Sequence, residues 1–180
     1  MAYSTPITAV ANATFTSAQY NASDRDNMLL TPAALATVAG SHTVATGTNA
    51  VAERIILQGT IETSSTTTST SYGDLAAGPG PAATITTGTQ ALVWINATIA
   101  NSGANTSAAS FDMSGASTIA ANNAWDIQQD GGAGTLNRYS SCTLITGLTS
   151  GSNIFTMRYL VSSGASTGTF SRRRIQVMGL

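Results

Sequence analysis

The chain has 180 residues, of which only 8% are charged, against about 25% in an average soluble protein, and none is lysine. Its 42% hydrophobic content and net charge of −1 exclude a disordered chain, which needs the opposite balance. The one basic cluster, Arg172-Arg173-Arg174, is too small for phosphate binding, and no apolar run approaches the roughly 20 residues of a membrane span.

The start, Met1-Ala2-Tyr3-Ser4-Thr5-Pro6, has no basic segment followed by an apolar one, so no secretory leader is expected. Thr16 and Gln19 then fit a capping box, with Phe15 and Tyr20 as the flanking hydrophobic staple. The helix they open is expected to run through Met28-Leu29 and to stop at Thr31-Pro32, because the residue before proline avoids helical dihedrals. One face carries Tyr20, Asp24, Asn27 and Met28, too little apolar surface for a core of its own. Residues 32–40 read either as a second short helix or as an extended arm. Residues 42–52 read as strand, turn, strand. These 54 residues form one expected segment, and residues 55–180 a β-domain.

The β-domain opens with a strand around Ile55-Ile56-Leu57, continued by the Thr and Ser run of residues 63–71, read as a strand with a hydroxylated face because Thr is β-branched. Gly78-Pro79-Gly80-Pro81 is a turn. Residues 90–99, with Trp94 at their centre, are the most secure strand. Further strands are expected at 107–113, 124–128, 138–145 and 154–161. The last two are expected to pair across the turn at 147–153. A final strand ends at Met178. Short strands at this spacing, without intervening helices, indicate a mainly β fold: an antiparallel β-sandwich or jelly roll. In the last strand, strict alternation puts Arg172 and Arg174 with Phe170 and Gln176, and Arg173 with Ile175 and Val177. Arginine suits paired carboxylates, so the triplet is expected to form ion pairs at a sheet rim or subunit boundary, the alternative being a site for an anionic ligand such as a cell-surface polymer.

Three groups of residues carry a resemblance. They are Thr16-Ser17-Ala18-Gln19-Tyr20-Asn21 running into Arg25-Asp26-Asn27-Met28-Leu29; Thr68-Ser69-Thr70-Ser71-Tyr72-Gly73-Asp74-Leu75 with Pro81 and Thr84-Ile85-Thr86-Thr87-Gly88-Thr89-Gln90-Ala91-Leu92-Val93; and Leu144-Ile145-Thr146-Gly147-Leu148-Thr149 with Gly151-Ser152-Asn153, Phe155 and Gly168-Thr169-Phe170. Together they resemble structural proteins of tailed bacteriophages, especially those of actinobacteria. The resemblance implies a virion protein (head decoration, head fibre or minor tail protein), commonly a homo-oligomer and often a trimer. It assigns no binding residues.

The residues themselves offer no catalytic, cofactor or metal site. His42 is the sole histidine, no nucleophile elbow is present, and one His and one Cys cannot build a zinc site. Asp24 and Asp26 diverge on a helix. Asp112, Asp126 and Asp130 could supply a glycosidase pair by arithmetic alone, and Asp126 and Asp130 a calcium loop; a turn role for Asp130-Gly131 is preferred. Cys142 reads as a small buried hydrophobe, Trp94 as core, and Trp125 as core or interface in preference to a sugar platform. Sequons at Asn12, Asn21 and Asn96 match by composition. The expectation is a non-enzymatic virion structural protein, a capsid decoration or head fibre at the virion surface. It would self-associate and attach through its N-terminal segment to the major capsid protein or another virion protein, without nucleic acid, membrane insertion or cofactor. A minor tail or baseplate protein, or a receptor- or carbohydrate-binding tip, is the alternative.

Overall fold

The computed structural model describes residues 14, 16–28, 31, 36–48 and 50–180. Phe15 of the expected staple, Pro32 with residues 33–35, and the sequon at Asn12 lie outside the described residues. The chain divides into two compact units, residues 1–55 and 56–180.

In the first unit, the Thr16 hydroxyl accepts from the Gln19 amide at 3.3 Å and the Gln19 side chain accepts from the Thr16 amide at 3.0 Å, closing the capping box. An α-turn at Ser17–Tyr20 passes into a π-helical turn at Asn21–Arg25 and back to α at Asp26–Met28. Tyr20 and Met28 remain exposed, as the thin apolar face requires. Strands β1 (His42–Gly47) and β2 (Ala50–Arg54) form an antiparallel hairpin with His42 opposite Arg54. Glu53 ties residues 37–41 to this hairpin. Its carboxylate accepts from the Thr37 amide at 2.8 Å, the Thr37 hydroxyl at 2.6 Å and the Val38 amide at 3.0 Å.

The second unit is an antiparallel sandwich. One sheet has the order β3 (Ile56–Ile61), β11 (Gly168–Gly179), β6 (Gln90–Asn101), β9 (Asn137–Thr146), with β4 (Ser65–Thr67) also on β11. The other has the order β5 (Ala82–Thr87), β10 (Gly151–Val161), β7 (Ser107–Gly115), β8 (Ile127–Gln129). Successive strands mostly cross between sheets, which is the jelly-roll arrangement. Val93, Ile95, Ile99, Phe170, Ile175 and Val177 from the first sheet meet Ile85, Phe111, Phe155, Met157 and Val161 from the second, all fully or almost fully buried. Complete burial of a side chain such as Phe155 contributes about 1.5–3 kcal/mol. Gly59 of β3 lies tightly against Ala82 of β5. A Cβ there would sit 2.3 Å from the Ala82 carbonyl oxygen, so no larger residue fits.

Three expected elements are corrected. Strands β9 and β10 do not form a hairpin: β9 pairs with β6, and β10 with β5 and β7. The four-residue link is an arch between sheets, pinned by buried Leu148, whose amide donates to the Thr89 carbonyl at 3.0 Å. Of the hydroxyl-rich run at 63–71, only Ser65–Thr67 is a strand. Beyond it the hydroxyls bond their own backbone, with the Ser69 hydroxyl donating to the Ser71 carbonyl and accepting from the Ser71 amide, which diverts the chain from a regular ladder. Residues 123–125 are a 3-10 turn capped by the Asn122 side chain, so of the strand expected at 124–128 only residues 127 and 128 are extended, within β8.

The last strand also departs from strict alternation. Its register with β6 slips between Ser171 and Arg174, and Arg172 takes a positive φ of 48°. This β-bulge puts Phe170 and Arg173 on the same buried side, and leaves Arg172 exposed. Opposite the bulge, the sheet's edge breaks between β3 and β4. The Arg172 amide donates to the Glu62 carbonyl at 3.3 Å, and Arg173 Nη2 to the Thr63 carbonyl at 3.1 Å. Arg174 pairs with the Glu62 carboxylate at 2.8 Å, so its ion pair is within the chain at the sheet rim.

Two outcomes follow. A left-handed backbone at a residue with a Cβ costs about 1–2 kcal/mol. Arg172→Gly should leave the denaturation midpoint unchanged or raised, and Arg172→Val should lower stability by about 1–2 kcal/mol. Hydrogen bonds from the Ser41 and Thr37 hydroxyls, followed by the Thr37 and Val38 amides, lower the Glu53 pKa to about 2. A carboxylate depressed on folding stabilises above its unfolded pKa and loses that contribution as pH falls through the folded one. The Thr37 and Val38 amide resonances should therefore hold their positions through the ordinary carboxylate range and move only toward pH of about 2. Glu53→Gln should abolish that transition.

Candidate functional site

The outer faces of the two sheets differ in chemistry. On the β5-β10-β7-β8 sheet, Asp112 of β7 and Arg158 and Leu160 of β10 point outward. One wall over them is residues 70–72. They are placed there because the segment replaces β5 along the upper part of β10: Gly73 and Tyr159 exchange amide–carbonyl bonds at 3.0 and 3.1 Å, and the Val161 amide donates to the Ser69 carbonyl at 2.8 Å. The other wall is residues 120–123, held by the Ser110 hydroxyl donating to the Asn122 carbonyl at 2.7 Å and by a bridge between Met113 and Ile119. Between the walls lies an open groove of about 740 Å³.

Its polar groups are fixed in place. Arg158 Nε donates to Asp112 Oδ2 at 2.6 Å, and Nη1 pairs with Asp74. Burial draws the Arg158 pKa down, but Asp112 and Asp74 outweigh it and raise the value, so the guanidinium stays charged. The Tyr72 hydroxyl donates to Asp126 Oδ2 at 2.8 Å and links the first wall to the segment beyond the second. Burial, then this bond to a carboxylate, pushes the Tyr72 hydroxyl well above the ordinary tyrosine range, so it remains a donor.

The carboxylates singled out from sequence are thus engaged separately. Asp112 holds Arg158, Asp126 holds Tyr72 and the Gln128 amide, and Asp130 accepts from the Thr106 hydroxyl at 2.7 Å. His42 opens β1 in the other unit. Among the described residues no group of three or more His, Cys, Asp or Glu converges to hold a metal. Tyr72, Asp74 and Arg158 were not singled out from sequence. Tyr72 and Asp74 entered only through the stretch 68–75 that carries the resemblance, and the long-range pairing of Gly73 with Tyr159 of β10 is what brings them to Arg158.

On the outer face of the β3-β11-β6-β9 sheet, the registers set side chains in rows. Met178 lies opposite both Ile56 and Leu92, and Leu92 opposite Leu144. The next row is Gln58, Gln176, Trp94 and Cys142, and the third is Thr60, Arg174, Asn96 and Ser140. Ile56 and Leu144 are each about half exposed, at 51% and 50%. Two expectations are corrected here. Trp94 is not core: Val93 and Ile95 take the buried side, so the residue between them faces outward and is half-buried. Cys142 is exposed, because β9 is an edge strand and Cys142 is on its outer side. Trp125 stacks on Phe111 at 5.1 Å and is partly buried.

No family model matches the chain, and no curated protein matches it. Among solved structures, similarity is found to the Eiger TNF of S. frugiperda, with a TM-score of 0.47 and 10% identity over 69% of this chain and 92% of that one. It is also found to infectious bursal disease virus, Gx strain, with a TM-score of 0.42 and 12% identity over 75% of this chain and 40% of that one.

Proposed function

We propose that this chain is a non-enzymatic structural protein of a virus particle, a decoration or head-fibre protein displayed at the virion surface as a homotrimer. The observation that carries the reading is the outer face of the β3-β11-β6-β9 sheet. Four strands align Ile56, Met178, Leu92 and Leu144 in one row, with Trp94 and Cys142 beside it. The band carries no charge, in a chain with only 8% charged residues. A contiguous exposed apolar band on a charge-poor surface favours association, and copies of the chain itself are the simplest cover. The jelly-roll order suits this role, since the same architecture serves capsid and lectin domains. The resemblance of residues 16–29 and 68–93 to phage structural proteins supplies the virion context and the threefold number. Residues 1–54 would attach to the major capsid protein or another virion protein.

Light scattering on the full chain should give three times the single-chain mass of 18.2 kDa. Leu144→Asp places a charge in the apolar band and should release monomers that keep their far-ultraviolet spectrum. Leu136→Asp, at an exposed site outside any strand, should stay assembled. A monomeric native chain, or a Leu144→Asp protein of undiminished mass, contradicts the proposal.

Deletion of residues 1–50 should leave a folded β-domain that no longer incorporates into particles. Normal incorporation of the truncated protein would move the attachment site into the sandwich.

A further inference from the structure

The groove over Arg158 is not needed for the assembly proposed above, and its construction is specific. Its floor offers fixed donors and acceptors side by side. Arg158 is held by two carboxylates, and its side chain is 25% exposed. Among the described residues, Arg158 Nη2, Asp112 Oδ1 and the Asn123 side chain hold no hydrogen bond within the protein. Leu160, Ala120, Ala121 and the Tyr72 ring provide apolar surface between these groups. The volume of about 740 Å³ falls in the range of small-ligand sites, about 300–1,000 Å³.

The chemistry narrows the ligand. Asp74 and Asp112 against one guanidinium leave a net negative floor, which disfavours phosphate, sulfate and carboxylate ligands. An extended peptide would need an open strand edge, yet this stretch of β10 is already paired by Gly73 and Ser69 on one side and by β7 on the other. An apolar ligand would desolvate Arg158 Nη2 and Asp112 Oδ1 without giving them partners. A neutral polyhydroxylated ligand satisfies all three conditions. Its vicinal hydroxyls donate to carboxylate oxygens and accept from guanidinium and amide hydrogens at once, and its C–H face covers Leu160 and the Tyr72 ring. We infer that the groove between residues 70–72 and 120–123 is a binding site for a neutral oligosaccharide, with Arg158, Asp112 and Asn123 as its hydrogen-bonding residues.

The test is a microarray of neutral and anionic glycans, with short peptides printed alongside, probed with the full chain and with variants. Bound neutral glycans are then titrated by calorimetry. Asn123→Ala removes an exposed side chain with no internal partner and should weaken binding by about tenfold. Arg158→Gln should weaken it further. Leu136→Asp, outside the groove, should bind as the native chain does. Because Arg158→Gln strands two carboxylates and could perturb folding, Asn123→Ala decides the matter. A bound neutral glycan whose affinity falls in Asn123→Ala supports the site. Binding unchanged in Asn123→Ala, whatever Arg158→Gln does, binding only to anionic glycans or peptides, or no neutral glycan bound, each overturns it. The mass of the assembly is measured separately, so loss of glycan binding with an intact trimer is distinguished from failure of the assembly proposal.

Discussion

The register of β11 is the constraint on which the sandwich depends. This strand is central in its sheet and must bury Phe170 at one end and Ile175 and Val177 at the other. Those positions differ by an odd number, and a pleated strand alternates strictly. An unbroken ladder that buried Phe170 would also bury Arg172, Arg174 and Gln176, and would expose Ile175 and Val177. One extra residue at the bulge reconciles the two ends, as a one-residue slip flips every later side chain. The consequence is that Arg173 goes inside, 1% exposed.

Among the described residues, Arg173 has no carboxylate partner. Its Nη2 meets the Thr63 carbonyl, and its guanidinium carbon lies 5.6 Å from the centroid of the Tyr159 ring. Burial pushes the Tyr159 hydroxyl pKa up to about 12 against the opposing pull of this cation. The neighbouring arginines hold the same discontinuity from outside, through the Glu62 carbonyl and carboxylate. Three consecutive arginines that look like a basic patch in the sequence therefore act as three different fastenings of one break between β3 and β4. The cation that is buried is arginine, whose delocalised, weakly hydrated charge tolerates an aromatic face better than an ammonium would.

Much of the fold was legible because its strongest signals are local. Residues 90–99 alternate around a β-rich composition, and Thr16 with Gln19 forms the capping box its residue types imply. What was not legible depends on partners distant in sequence. Adjacent alternating strands around residues 147–150 read equally well as a hairpin or as an arch, and only the competition of β5 and β7 for β10 decides. Trp94 sits in a run apolar on both faces, so its type does not say which side is core. Arg158 and Asp74 are 84 residues apart, and no local pattern links them.

The two outer faces of one sandwich divide its chemistry. Residues facing out from β6, β9 and β11 are apolar or neutral at one end, where an exposed charge would oppose close approach of another copy. Residues facing out from β7 and β10 include a guanidinium and a carboxylate that pair with each other, and with Asp74. A pair whose side chains are 25–45% exposed contributes little stability, because water screens it and ordering two side chains costs entropy. On an otherwise charge-poor surface, the pair therefore matters to the ligand reading proposed above for the groups it presents, not for stability. The pair holds a fork of donors and an acceptor oxygen at fixed positions beneath two irregular walls, while the sheet behind it supplies the rigidity that loops lack.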